Sequence, residues 1–297
     1  MIIDIRKENL LSRMSLPGSA LQLALFRILL GAQIFYSSNS ELFNLLKVVK
    51  GTTETETLFP EFIDRFIAAN SLPYLTLTVQ VLSIFLILGL FTRYILPLLF
   101  LSFLLLFSFW YHKFNAPIPW LYIWFPLLIL CFSPSADALS VDSLFKITKP
   151  EKIKLYIYRW PIELIVGWFA YIYFAAGIAK ILPFSKGFGW LDGGTSQGII
   201  HDRFVDSVLY FVFGKPFFDY TQHAWLFAFL SIFALAIELV TIVLFFTNRF
   251  NKIIIFLVLA MHLFLFLTGV PGFGQLAFIL SICLLPQRVF NNKAVAK

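Results

Sequence analysis

Ile162 to Leu182 reads IELIVGWFAYIYFAAGIAKIL, and only Glu163 and Lys180 in it carry charge. An α-helix needs about 20 mostly apolar residues to span a bilayer core, so this stretch has the length and composition of a transmembrane helix. The rest of the chain is written in the same way. Of 297 residues, 60% are hydrophobic and 13% charged, whereas a soluble domain carries about 25% charge. One aqueous core cannot hide so much apolar surface. The expected fold is therefore all-α, a polytopic helical membrane protein.

About eight spans are candidates on this criterion, at residues 20–43, 73–91, 94–112, 117–132, 161–182, 224–246, 252–269 and 273–286, the fourth and the eighth being short. Pro126 interrupts the fourth, where a ring without an N–H favours a kink. Phe59–Ile67 suits a helix lying on the membrane surface, and Phe204–Phe213 an interfacial or re-entrant segment. The expected organisation is one transmembrane domain over 1–297, with its core at 20–286 and short basic termini. The first apolar run is long enough to span and follows a mixed acidic and basic stretch, so no cleavable signal peptide is expected.

The net charge of +7 is spread over short loops, not gathered on one face as in a nucleic-acid binder. It reads as a topology signal. The N-terminus, the 92–93 turn, the 133–160 loop, the 247–251 turn and the C-terminus share one side, which holds about twice the Lys and Arg of the other. The positive-inside rule then puts both termini in the cytoplasm of a multi-pass protein of the cytoplasmic, or inner, membrane. Lys180 falls near the outer end of its helix and Gln275 near the outer start of the last one.

Cys131 and Cys283 lie singly inside apolar runs, without Cys or His at metal or redox spacing, so they read as small buried hydrophobes and no metal site is expected. No Ser-His-Asp ordering is defensible. Asp137 and Asp142 read as loop and cap residues. Glu163, just after Pro161, suits the positive end of a helix dipole.

Arg27, Glu238 and His262 fall at similar depth, counted from the cytoplasmic side. Lys180 lies higher by roughly 10–15 Å on the same rise per residue. The layering predicts a structural ion pair between Arg27 and Glu238, with His262 alongside, because an unpaired charge there is expensive. Lys180 admits two readings. A last-turn lysine can snorkel to the interface and meet terminal carbonyls. Half-buried among Tyr173, Phe174 and Ile181, it is instead a candidate base, since desolvation disfavours the charged amine. Ala175-Ala176-Gly177, one turn earlier, allow a helix or a flat ligand to approach closely. Trp190 reads as an interfacial anchor and Gly193-Gly194 as a tight turn.

Tyr173-Phe-Ala-Ala-Gly-Ile-Ala-Lys180 followed by Trp190-Leu-Asp-Gly193 resembles the membrane domain of vitamin K-dependent gamma-carboxylases and their bacterial relatives, the horizontally transferred transmembrane (HTTM) family. Leu25-Phe-Arg-Ile-Leu-Leu-Gly31, Leu88-Gly-Leu-Phe-Thr-Arg93, Phe132–Asp142 and Ala260-Met-His262 are similar to further pieces of that family in the same order, so the likeness covers roughly residues 20–285. The resemblance implies that Lys180 matches the base that deprotonates vitamin K hydroquinone, with His262 as an accessory catalytic candidate. It implies an outward-facing pocket for reduced vitamin K or another quinol, to which Tyr173, Gly177, Trp190 and Gln275 are assigned. An enzyme of this kind would be carboxylase- or oxygenase-like. Two departures weigh against glutamate carboxylation itself. The carboxylases' tandem lysine is single here, with Ala179 before Lys180, and the chain ends at Lys297 where carboxylases continue into a large extracytoplasmic domain.

The expected partners are membrane lipid, a lipophilic quinone-like ligand and a peptide or membrane-protein partner, with no nucleic acid. The alternative reading is a non-enzymatic membrane component that helps to mature, export or insert a partner peptide. A transporter built on Arg27, Glu238 and His262 ranks lower, since no repeat or paired broken helices are visible.

Overall fold

A span without water must satisfy its own backbone, and a helix does so residue by residue. The computed structural model follows that rule. It describes residues 9–38, 72–114, 121–145, 155–181, 190–203, 205, 207–214, 224–268, 282–283 and 285. Among the described residues the regular structure is entirely helical. Its helices are α1 (Leu10–Met14), α2 (Ala20–Ser38), α3 (Leu72–Leu88), α4 (Thr92–Phe114), α5 (Leu121–Cys131), α6 (Val141–Phe145), α7 (Arg159–Ile181), α8 (Gly194–Arg203), α9 (Val208–Phe213), α10 (Ala224–Val240) and α11 (Asn251–Leu267). Short 3-10 turns at Leu155–Tyr158 and Thr241–Phe245 precede α7 and follow α10.

Among the described residues, three helical stretches are long and apolar enough to cross a membrane: Ala20–Ser38, Leu155–Ile181 and Ala224–Phe245. Pro73–Leu88, Thr92–Leu106, Tyr122–Cys131 and Asn251–Leu267 are apolar and shorter. The fourth expected span continues as helix through Pro126. The expected helix at Phe59–Ile67 lies outside the described residues, as does the span at 273–286 apart from Ile282, Cys283 and Leu285.

The chain forms two compact units, one of Met1–Met14 and Val166–Pro286, the other of Ser15–Ile165 and Gln287–Lys297. The boundary falls within α7. In the second unit α2 packs on α3 and α5, α3 on α4, and α4 on α5. Leu23, Phe26, Leu30 and Ile34 of α2 are fully buried, a stripe at helical spacing. Gly31 brings α2 close to α3, because a side chain there would meet Ile87 Cγ1 at 2.9 Å and the Ser83 carbonyl at 3.3 Å.

Helix α3 ends in a Schellman turn. Gly89 sits at φ +66°, its N–H donates to the Leu86 carbonyl, and the Leu90 N–H donates to that of Phe85. The first unit joins α10 to α8 and α11, and α9 to α11. Helix α9 is short but capped at both ends: Ser207 Oγ accepts from the Tyr210 N–H, and Gly214 at φ +69° returns its N–H to the Tyr210 carbonyl.

The sixth expected span, 224–246, is one apolar run but not one α-helix. At Val240 it tightens into the 3-10 turn. Thr241 marks the change: its buried hydroxyl lies 2.6 Å from the Glu238 carbonyl and 3.2 Å from that of Ala170 on α7. A threonine hydroxyl that turns back on its own helix competes with the regular ladder there.

Candidate functional site

The first unit holds a polar centre in an apolar setting. Lys180 Nζ pairs with Glu238 Oε1 across the α7–α10 contact, and the two side chains are 19% and 10% exposed. The pair is thus largely out of solvent. Backbone direction explains the reach. In a helix every Cα–Cβ bond tilts toward the N-terminus, so a last-turn lysine leans back over the preceding turn. One turn back stands Gly177. A Cβ on it would lie 3.0 Å from Leu239 Cδ2 and 3.2 Å from Glu238 Cβ. Gly177 therefore admits α10 itself, which brings Glu238 under the lysine.

Trp190 closes the other side of the amine, its ring centroid 4.5 Å from Lys180 Nζ. A cation over an indole face is attracted by the ring quadrupole. Glu238 Oε2 is buried and has no hydrogen-bond partner among the described residues. A carboxylate oxygen left this way calls for a donor.

Tyr173 lies two turns below Lys180 on the same face of α7, about 10 Å along the axis. Its hydroxyl is 2.6 Å from His262 Nε2 of α11, and the rings meet edge-on at 5.8 Å and 75°. Both residues are buried. Helix α7 is thus tied to α10 through Lys180 and to α11 through Tyr173.

The expected pair of Arg27 with Glu238 is corrected. Glu238 is held by Lys180, and Arg27 belongs to a different cluster in the second unit. Arg27 is fully buried and donates to the carbonyls of Ser135 at 2.9 Å and Leu139 at 2.5 Å. Asp142 is the nearby counter-charge. Depth along the backbone does not by itself set a partner. The length of a lysine side chain, its backward lean, and the turn at 133–140 that presents carbonyls to Arg27 decide the pairing.

Asp142 does cap a helix, as its loop-and-cap reading expects. Its two oxygens accept from the N–H groups of Phe91 and Thr92, each at 2.8 Å, at the start of α4. Burial pushes the Asp142 carboxyl up, but the hydrogen bonds from Thr92 and Phe91, with the Arg27 charge, outweigh it and hold its pKa below the ordinary 3.8. Glu163 is buried and pairs with Arg159 one turn earlier on α7. Asp137 accepts from the Tyr158 hydroxyl at 2.9 Å.

Of the residues assigned to a pocket, Lys180, Gly177 and Trp190 converge, joined by Glu238 from outside that set, and Tyr173 and His262 form a pair below them. Gln275 lies outside the described residues. Glu238 belongs with Lys180, and the sequence did not signal this, because no regular spacing relates one helix to another 58 residues away. Among the described residues, no group of three or more His, Cys, Asp or Glu side chains could hold a metal ion. No protein-family model matches the chain, and neither a curated protein nor a solved structure matches it significantly.

Proposed function

We propose that this chain is an integral, multi-pass helical protein of the cytoplasmic membrane, of the HTTM type, with about eight spans and both termini cytoplasmic. Its Lys180–Glu238 pair forms the polar end of a site for a lipophilic ligand of the quinone class, reached from the non-cytoplasmic side. The observation that carries this reading is the amine held between a carboxylate and an indole ring, with the second carboxylate oxygen buried and unpartnered.

A reduced quinone supplies ring hydroxyls, a transferable proton and reducing equivalents when bound. Glu238 Oε2 would accept from such a hydroxyl, and Lys180 would sit beside the oxygen. For Lys180 to act as a base, its proton would first pass to Glu238 Oε1, leaving a neutral amine. In that state Lys180 has the lone pair that a base requires.

Titration with menadiol, read as saturable quenching of tryptophan fluorescence in the detergent-solubilised protein, tests this reading. Binding should weaken about tenfold or more in Lys180→Met, the loss expected for a charge-assisted hydrogen bond. A Lys180→Met protein that titrates like its parent removes the quinol site. One observation then favours the second reading, a non-enzymatic component that serves a partner peptide: Lys180 already has an anionic partner and an aromatic ring, which suffices for a structural clamp.

A further inference from the structure

Trp190 reaches Lys180 because of how the chain after it is fastened. Gly193 has φ +84°, and a Cβ there would collide with the backbone of Phe227 and Ala228 on α10. Only glycine permits both that conformation and that approach. The turn closes on itself, with the Gly193 N–H donating to the Trp190 carbonyl at 3.3 Å and the Gly194 N–H to Asp192 Oδ1 at 2.8 Å. Ser196 Oγ, in the first turn of α8, lies 2.6 Å from Ser231 Oγ on α10 and 3.0 Å from the Gly193 carbonyl. Ile200 of α8 and Phe227 of α10 are buried against each other, with Leu209 beside them.

The receiving residues share one face of α10. Phe227, Ser231, Leu235 and Glu238 are all buried, at the three- and four-residue spacing of a helical stripe. Phe227 takes the Gly193 turn, Ser231 takes Ser196, and Glu238 takes Lys180. The stripe that fixes the acid partner of Lys180 also fixes the arm that carries its aromatic wall.

We infer that residues 190–200 form a docking arm that controls access to the Lys180 amine, with Gly193, Ser196 and Ser231 as positioning residues that act through Trp190. The inference rests on Lys180 as the centre of the site proposed above. Docked, the arm keeps the indole on the amine; lifted, it opens the amine to water and to reagents from the non-cytoplasmic side.

Labelling of the full-length, detergent-solubilised protein with the water-soluble acylating reagent sulfo-NHS acetate, read at each lysine by peptide mass spectrometry, tests it without any ligand. Ser196→Ala should raise the labelling rate at Lys180 about fivefold, the shift in a docking equilibrium that follows from losing one hydrogen bond of ordinary net worth. Ser196→Thr keeps the hydroxyl and should label like the parent, and Trp190→Ala should match or exceed Ser196→Ala. Gly193→Ala should label faster still, and the milder serine change carries the test where that variant does not fold. An unchanged rate at Lys180 in Ser196→Ala overturns the inference. So does a rise that Ser196→Thr fails to restore, or one shared equally by the other lysines. A failed menadiol titration leaves these rates untouched, so the two readings fall separately.

Discussion

Lys180 and Glu238 are costly apart and tolerable together. A charge left alone after its buried partner is removed costs about 3–5 kcal/mol, whereas replacing both with apolar groups of similar size is often neutral. Lys180→Met and Glu238→Leu should each lower the thermal stability of the solubilised protein, and the double variant should melt above either. Strictly additive losses would show that the two side chains do not depend on each other. Arg27 follows a different rule. It donates to two carbonyls of one turn, a task that suits the forked guanidinium and not the single ammonium of a lysine.

At the scale of elements, the start of α4 depends on a residue far along the chain. Asp142 accepts from the N–H groups of Phe91 and Thr92, while Phe91 is held at φ +49°, an uncommon conformation for a residue with a side chain. A capping carboxylate of this kind contributes about 1 kcal/mol. Its folded-state pKa lies below the ordinary value. Its stabilisation is therefore complete above the unfolded pKa and is lost as pH falls through the folded one. Asp142→Asn should be less stable than the parent at neutral pH, and the gap should narrow below about pH 4. Thermal melts across that range check it, and a gap independent of pH would mean that the carboxylate charge plays no part. Only part of this cap was legible in the sequence. Ser133–Asp142 has the composition of a turn that ends in a cap, but its target, 50 residues earlier in the chain, depends on how α2, α3 and α4 pack.

At the scale of the whole molecule, the proposed topology makes a direct claim. In a background without Cys131 and Cys283, a membrane-impermeant thiol reagent applied to intact cells should label Lys186→Cys and spare Lys149→Cys; the reverse pattern would invert the protein and put Lys180 on the cytoplasmic side. The class of architecture was set by composition alone: long apolar runs have one economical way to satisfy their backbone, which is to become helices, and so the apolar segments and the helices largely coincide. The special standing of Lys180, Trp190 and the Gly193-Gly194 turn was also visible, because a charge in an apolar run and a glycine pair after it are local facts. The partners were decided only by the tertiary structure. Glu238 goes to Lys180 because the lysine leans back over Gly177, Arg27 goes to the carbonyls of Ser135 and Leu139, and Ser231 receives Ser196 because Gly193 lets the turn rest on α10. Hydropathy and spacing describe one helix at a time, whereas these pairings depend on which faces meet and how far a side chain reaches across the contact.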